Sequence, residues 1–446
     1  MKNLLFVLTM LIVGLTCSSL KAQTQWNHQN NPLANGIGLG KIQFVSATEG
    51  WISGSRGKLL HSTDAGVTWN IVIPFPNDTV VSMSDPAITM WWGNQTHGWK
   101  INWLGTGFND AHGAVIHLTT DGGNTWQKKV LSTTVGEIGL QVQFVDNLIG
   151  WASIYNLSTG NIRIVRSTDG GNTWNQISTS GGIFYFIDSN NGWAIIGSQK
   201  LILHTTNGGA NWTTQFTDTT LGDYNAIQFT DLNNGWVVGE NGTVLKTNNG
   251  GSSWTQVTNT GLTSVSNSKS VFFLNANTGW VSSKEQGWPD SKILHTTDGG
   301  ASWTHQNPNF SNGSIFSIFF IDENNGWFTG EQCIQNCNGP DSLMVWAGIL
   351  SHTINGGVTE IEDNSLQNQI SIYPNPSSDI VTLNIGNRNY DDLTLNIYNV
   401  IGTLVKSEKL KQNQRQINIG DLGNGIYMVE IKSKEWAEKQ KLIIER

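Results

Sequence analysis

The residues best suited to bind a ligand are aromatic side chains close to carboxylates, in segments that are longer than their counterparts elsewhere in the chain. The six candidates are Trp103, Phe108, Asp110, Tyr155, Trp288 and Asp290. An exposed aromatic ring can stack on a sugar or a peptide, and a carboxylate can orient polar groups of the ligand. This combination predicts a surface that binds a carbohydrate or a protein. The alternative is that these rings pack within their own loops.

A second group of acidic and amide residues recurs in register, each in a glycine-containing turn. These positions are Asp64, Asp121, Asp169, Asn207, Asn249, Asp298 and Asn355. An Asp or Asn in a turn accepts backbone N–H groups of that same turn, and the neighbouring glycines allow positive φ. A position that repeats in this way indicates a structural role. We therefore predict no catalytic residue among them.

Histidines recur in the same register and suggest a metal site at first sight. His61, His204, His295 and His352 each lie three residues before one of the turn positions. One histidine per repeat separates their side chains in space, so they cannot converge on one metal ion. The pattern predicts a repeated packing contact, with no metal and no cofactor.

The element that positions all of these residues is a Gly-Trp pair that occurs seven times. The tryptophans are Trp51, Trp99, Trp151, Trp193, Trp236, Trp280 and Trp327. An aromatic residue precedes each of them by seven positions, as Phe229 precedes Trp236, and the turn motif follows. A period of about 40 to 50 residues with four short strands per repeat is typical of propeller blades. We predict an all-β fold in which residues 23–360 form a seven-bladed β-propeller.

The seventh repeat lacks the tryptophan that follows the other six turns. Gln25 to Pro32 closely matches Ser302 to Pro308, the outer strand of the sixth repeat, and places Trp26 where that tryptophan is needed. We expect residues 23–32 to supply the outer strand of blade seven, which closes the ring and removes its free edges.

Insertions show where a ligand would bind. The segment between the Gly-Trp pair and the turn motif is longer in the second, third, sixth and seventh repeats. In a four-stranded blade this extra length protrudes on the face opposite the turn motifs. Insertions on one face of a repeat protein commonly mark its working surface, so we place the ligand contacts on that face.

Composition and the N-terminus indicate an exported protein. The formal charge is −8 with only 25 Lys and Arg, which gives no basic surface for nucleic acid. Residues 1–22 read as a secretory signal, with apolar residues from Leu4 to Leu15. Cys17 leaves a lipoprotein signal open as an alternative, although Thr16 is a poor residue before it. No other apolar run is long enough to span a bilayer.

Cys333 and Cys337 are the cysteines that remain after the signal. A disulfide that closes this short loop is the leading interpretation in an oxidising compartment. A metal site would need further ligands, and no His or other Cys lies nearby in the sequence.

The sequence changes character after Glu360. A polar linker, 361–369, leads into residues 370–446, which contain Tyr373-Pro-Asn-Pro376, Ile397 to Gly402, Leu422 to Val429 and a terminal Lys441-Leu-Ile. Together these motifs resemble the type A C-terminal sorting domain of type IX secretion. The resemblance implies a small Ig-like β-sandwich, the type IX machinery as a partner, and delivery to the outer-membrane surface or the medium of a Gram-negative, Bacteroidetes-like cell. The alternative is an ordinary adhesive β-domain.

The turn motifs resemble the Asp-box, or BNR, repeat. Sialidases share it, but their sites need an arginine triad, and the propeller contains only Arg56, Arg163 and Arg166. The pattern Phe320-Ile-Asp-Glu-Asn-Asn-Gly-Trp327 is more similar to the seven-bladed photosystem II assembly and stability factors, over nearly all of residues 23–360. This resemblance implies a noncatalytic scaffold that binds an extracellular protein or glycan. The alternative is a glycan-active hydrolase of the sialidase-like propeller type.

Overall fold

The computed structural model describes most of the chain between Trp26 and Arg446. The described ranges are residues 26–33, 37–74, 90–105, 111–178, 181–285, 291–335, 337, 345–357, 371–373, 375, 377–384, 393–399, 402–410, 416–433 and 437–446. The predicted signal 1–22, the linker 361–369 and the candidates Phe108, Asp110, Trp288 and Asp290 lie outside them.

Seven four-stranded antiparallel sheets form in the described part of residues 26–357, and each is called a blade here. Blade 1 contains β2 (Leu39–Phe44), β3 (Gly50–Gly54), β4 (Leu59–Ser62) and β5 (Asn70–Val72). Blade 2 contains β6 (Met90–Trp92), β7 (Gly98–Trp103), β8 (Ala114–Thr119) and β9 (Gln127–Ser132). Blade 3 contains β10 (Glu137–Phe144), β11 (Gly150–Asn156), β12 (Ile162–Ser167) and β13 (Asn175–Ser178). Blade 4 contains β14 (Ile183–Phe186), β15 (Gly192–Ile196), β16 (Leu201–Thr205) and β17 (Thr213–Thr217), with a 3-10 turn at Gly197–Gln199.

The remaining blades follow the same order. Blade 5 contains β18 (Tyr224–Phe229), β19 (Gly235–Gly239), β20 (Val244–Thr247) and β21 (Thr255–Gln256). Blade 6 contains β22 (Ser266–Phe273), β23 (Gly279–Glu285), β24 (Ser291–Thr296) and β25 (Thr304–Gln306). Blade 7 contains β26 (Gly313–Phe320), β27 (Gly326–Gln335), β28 (Val345–Thr353) and β1 (Asn27–His28). The all-β propeller architecture predicted from the repeats is confirmed.

The first strands of the blades form a closed ring. Each contacts the first strand of the next blade, and β26 of blade 7 contacts β2 of blade 1. The outer edge of blade 7 comes from the other end of the chain, because β1 is antiparallel to β28 and pairs Asn27 with His352 and His28 with Ser351. One sheet therefore joins the two ends of the propeller segment.

Aromatic stacking explains why the repeat contains a Gly-Trp pair and an earlier aromatic residue. The tryptophan of each pair stacks on the inner-strand aromatic residue of the next blade, with ring centroids 3.5 to 4.0 Å apart. The pairs are Trp51–Trp92, Trp99–Phe144, Trp151–Phe186, Trp193–Phe229, Trp236–Phe273, Trp280–Phe320 and Trp327–Phe44. The last pair joins blade 7 to blade 1, so the stacking also closes the ring.

The glycine of the pair makes room for the aromatic ring of its own blade. A Cβ on Gly235 would lie 2.4 Å from the Phe229 ring, and a Cβ on Gly326 would lie 2.2 Å from the Phe320 ring. Carbon atoms in contact are normally about 3.5 to 4.0 Å apart. Any larger residue at these positions would push the ring out of its interblade stack.

The tryptophan after each turn motif packs edge-on against the same inner aromatic residue. Trp254, for example, meets Phe229 at 5.8 Å and an interplanar angle of 88°. Trp26 occupies the equivalent position in blade 7, 5.9 Å from Phe320 at 82°, and is fully buried. The histidines lie on the opposite side of the Gly-Trp stack, as His61 does on Trp51 at 3.8 Å. This arrangement is a repeated packing contact.

The turn motifs are held by the side chain of their Asp or Asn. In Asp169, Oδ1 accepts from the Thr173 N–H at 2.9 Å and Oδ2 accepts from the Thr173 hydroxyl at 2.6 Å. These bonds hold the pKa of the Asp169 carboxyl at about 2, below its usual 3.8. Equivalent bonds from Thr125 and Ser302 hold the pKa of Asp121 and Asp298 at about 2. The carboxylate of each turn is therefore a structural acceptor.

These carboxylates should make the propeller sensitive to acid. Because their pKa is lower in the folded than in the unfolded chain, their contribution to stability is complete above about pH 4 and is lost as the pH falls toward 2. Asn207 and Asn249 occupy the same position and accept the same N–H bond without titrating. Changing Asp121, Asp169 and Asp298 together to Asn should therefore flatten the loss of thermal stability between pH 5 and pH 2.5. An equal loss in the parent and the triple variant would contradict this role.

Cys333 and Cys337 form a disulfide with their Cα atoms 5.6 Å apart. The bond closes a short loop at the end of β27, where Cys333 still pairs with Trp346 of β28. It is therefore a local constraint on one loop of blade 7.

Residues 359–446 form a separate compact unit. A three-stranded sheet contains β29 (Ser371–Tyr373), β30 (Ile380–Asn384) and β33 (Gln416–Asn418), and a four-stranded sheet contains β31 (Leu393–Asn399), β32 (Leu404–Leu410), β34 (Gly425–Lys432) and β35 (Ala437–Ile444). Apolar side chains from both sheets, among them Leu383, Leu395 and Val429, share one core. The unit is thus a small β-sandwich. The described residues contain no helix long and apolar enough to cross a membrane.

Candidate functional site

A groove of about 500 Å³ lies between blades 3 and 4. It is lined by the turn between the second and third strands of each blade and by the start of their inner strands, which places it on the face opposite the turn motifs. Contributing residues include Leu140, Tyr155, Asn161, Ile183 and Gln199. Apolar side chains form its floor, whereas the exposed amides of Asn161 and Gln199 stand at its rim. A concave surface that combines apolar side chains with polar groups in this way can contact a protein segment or a sugar.

Tyr155 is the aromatic residue that the groove presents. It lies in β11, between Ile138 of β10 and Ile162 of β12. Its ring is half-buried against the core of blades 2 and 3, so its position is fixed by packing. Of the six predicted ligand contacts, Tyr155 is the one that the described structure places on a concave surface of the loop face.

The groove adjoins a channel between the seven inner strands. Leu140 and Ile183 line both spaces, and the channel adds a volume of about 430 Å³. Its wall carries rings from several blades, including Trp91, Tyr185 and Phe319. The groove and the channel are therefore adjacent.

Most polar side chains of the channel wall form hydrogen bonds between neighbouring blades. The Gln43 amide donates to the Trp92 carbonyl at 2.7 Å and accepts from the Trp92 N–H at 3.0 Å. Gln143 makes the same pair of bonds with Phe186, and Gln228 makes it with Phe273. These amides act as backbone substitutes between inner strands that are too far apart to pair directly. Each amide uses one N–H and one oxygen lone pair in these contacts.

The structure corrects the interpretation of Trp103. Its side chain is 0% exposed and belongs to the core of blades 2 and 3, so it cannot contact a ligand at the surface. The extra residues of the second repeat lengthen β7 and β8, and Trp103 pairs with Ala114 in the sheet. The burial of Trp103 could have been predicted from the sequence, because Trp99, Ile101 and Trp103 alternate and so share one face of a strand.

Arg163 on the loop face, Arg166 on the face of the turn motifs and the acid Glu137 are held by partners within the fold. Arg163 donates to both carboxylate oxygens of Glu137, at 3.3 and 2.8 Å. Arg166 lies over the Trp151 ring and donates to the Ser189 carbonyl at 3.2 Å. The Arg163 bonds lower the pKa of Glu137, whereas the acid of a glycosidase needs a raised pKa. The described residues contain no group of three or more His, Cys, Asp or Glu able to hold a metal ion.

Sequence reasoning missed the channel residues Lys41 and Trp91. Lys41 lies three positions before Phe44 on the inner strand of blade 1, and Trp91 lies one position before Trp92 on the inner strand of blade 2. Since strand side chains alternate between faces, these positions point away from the interblade stack and into the channel. Comparing that position across the repeats would have found the channel wall.

Two family models match the chain. Residues 371–445 match the secretion system C-terminal sorting domain, and residues 216–372 match the photosynthesis system II assembly factor YCF48. The sorting domain, as the motifs from Tyr373 onward predicted, directs export to the bacterial surface or medium and implies the type IX secretion machinery as a partner.

Solved structures show the same fold at low identity. YCF48 bound to a D1 peptide aligns with a TM-score of 0.52 and 16% identity, over 75% of this chain and 96% of that one. YCF48 from Cyanidioschyzon merolae aligns with a TM-score of 0.51 and 18% identity, over 74% of this chain and 98% of that one. Both alignments show the propeller fold.

One curated relative also matches, an endo-acting ulvan lyase from Formosa agariphila. It is 27% identical over 157 residues, which is 33% of this chain. The chain spans only 28% of the length of that relative, so the match does not assign the lyase activity to this chain. The chain itself combines a β-propeller, whose residues 216–372 match the family of photosynthesis system II assembly factor YCF48, with a secretion system C-terminal sorting domain.

Proposed function

We propose that the exported propeller is a noncatalytic binding scaffold that recognises a protein segment or a glycan on the face opposite its turn motifs. The observation that carries this proposal is the groove at Tyr155, which adjoins the central channel. It is a concave surface that combines apolar side chains with exposed polar groups, as ligand sites commonly do.

The direction in which the pKa values of the carboxyl groups are shifted supports a binding function rather than a catalytic one. General acid catalysis at neutral pH needs a carboxyl group with a raised pKa. Among the described acids with a shifted pKa, including Glu137 at the loop-face end of β10, every shift is downward. Among the described loop residues, Glu285 is likewise engaged, with Lys292 at 2.7 Å. YCF48 with its D1 peptide is a precedent for a propeller of this fold that binds a peptide.

The partner would be found by glycan array and by capture of defined cell-surface proteins on the purified protein, and the groove variants then test where it binds. Changing Tyr155 to Ala should weaken binding by about 1 to 3 kcal/mol, the usual range for a central aromatic contact. Gln199→Ala, at an exposed rim position, should weaken it less and leave the fold intact. Leu148→Ala is the matched control, because Leu148 is exposed on the face of the turn motifs.

Binding that is unchanged in the Tyr155 and Gln199 variants but lost in the Leu148 variant would place the working surface on the other face. Turnover of sialosides or other glycosides, abolished by changing loop carboxylates, would support the hydrolase alternative and reject the noncatalytic function.

A further inference from the structure

The central channel contains two cations that the fold does not neutralise. Lys41 of β2 and Lys269 of β22 line it, and no described residue contributes a carboxylate to its wall. The Lys41 Nζ lies 4.9 Å from the centre of the Trp91 ring, which is a cation–π contact. Lys269 is exposed to the channel. In the described part of the chain neither lysine forms an ion pair.

The rest of the wall is apolar or already hydrogen-bonded. Trp91, Phe272 and Phe319 present rings from three blades. The Gln43, Gln143 and Gln228 amides bond to neighbouring inner strands, as described above, and the Ser270 hydroxyl accepts from the Ile318 N–H at 3.1 Å. A neutral sugar would leave the charge of both lysines without an ionic partner. Positive charge and aromatic surface fit a different class of ligand.

We propose that the channel binds an organic carboxylate attached to an apolar or aromatic group. Lysine ammonium groups receive the carboxylate, and the rings of the wall cover the apolar part of the ligand. Such a group occurs in a small organic acid and in a peptide that ends in an apolar residue. This inference goes beyond the proposed groove function, because it concerns a small anionic group in the channel and either proposal can fail without the other.

The ionisation of Lys41 agrees with this assignment. Burial lowers the pKa of Lys41 to about 8. An ammonium group in this state lacks a nearby negative charge, and a bound carboxylate would supply it. Lys41 thus stays largely charged at neutral pH while it remains without an ionic partner in the described residues.

The test is calorimetric titration of the full-length protein with two carboxylates and their uncharged amides. The small acid is indole-3-acetate, with indole-3-acetamide as its partner. The peptide is acetyl-alanyl-phenylalanine, with its C-terminal amide as partner. We expect at least one acid to bind with a single site and its amide to bind about tenfold more weakly or not at all, since a hydrogen bond from an ammonium group to a carboxylate is stronger than one to a neutral amide. Which acid binds identifies the source of the carboxylate.

Variants of the lysines locate the site. Lys41→Met and Lys269→Met should each weaken acid binding, together by about tenfold or more, and Lys41→Arg should retain it. Lys269→Met changes an exposed side chain and keeps the test valid if Lys41→Met alters the fold. Lys128→Met, on outer strand β9, is the control and should bind normally. The absence of saturable binding, equal affinity for acid and amide, or binding that survives loss of both lysines would overturn the proposal, whatever the groove variants show.

Discussion

A chain that lacks residues 23–32 is expected to unfold at a much lower temperature than the parent. The deletion removes Trp26, which is fully buried and contacts Phe320 and Phe328 with ring centroids 5.9 and 5.0 Å away. Losing a buried tryptophan costs about 3 to 5 kcal/mol. The deletion also leaves β28 as an open edge strand, which invites aggregation. Thermal and urea unfolding of the two chains measure the difference.

Two point variants distinguish the contribution of the Trp26 side chain to stability from that of the rest of the segment. Trp26→Ala should reproduce most of the loss in stability, whereas Asn30→Ala, an exposed change in the same segment, should leave it unchanged. A synthetic peptide of residues 23–32 should partly restore the midpoint of the deleted chain. If the deleted chain unfolds at the parent temperature, β1 does not close the ring.

The propeller could be predicted from sequence because its determinants repeat. The stack of Trp236 on Phe273 and the close approach of Gly235 to Phe229 need specific residue types at fixed spacing, and seven copies make that spacing visible. The role of Trp26 was visible for the same reason, since its neighbours resemble those of Trp303. Local interactions that recur can be identified without knowing the path of the chain between them.

The candidate site was harder to predict because it depends on features that do not repeat. Trp103 looked like part of an insertion, but the second and third strands of blade 2 lengthened and buried it. The groove at Tyr155 arises where the turns of blades 3 and 4 leave a gap, and no spacing in the sequence encodes a gap. Lys41 faces Trp91 only because blades 1 and 2 are neighbours in the ring. Contacts between repeats follow from tertiary geometry, which sequence spacing records only indirectly.

Cutting the chain after Glu360 should abolish export while leaving the propeller folded. The residues that follow form their own compact unit with a separate core, including Leu395 and Ile431. No strand of the seven blades comes from that unit in the described structure. Residues 371–445, which match the sorting domain, are the part that the secretion machinery would recognise. We therefore expect the truncated chain to accumulate in the periplasm, with nearly complete loss from the surface and medium.

The measurement is fractionation of cells that express the full and truncated chains, with the unfolding temperature of each purified propeller as the control. Retention of a chain that unfolds at the parent temperature assigns the defect to sorting, because a misfolded propeller would also be retained but would melt early. Ile431→Asp, which places a charge in the core of the sorting unit, should cause the same retention in a chain of full length. Normal delivery of the truncated chain would contradict the assignment, since a propeller that reaches the surface alone does not depend on residues 371–445.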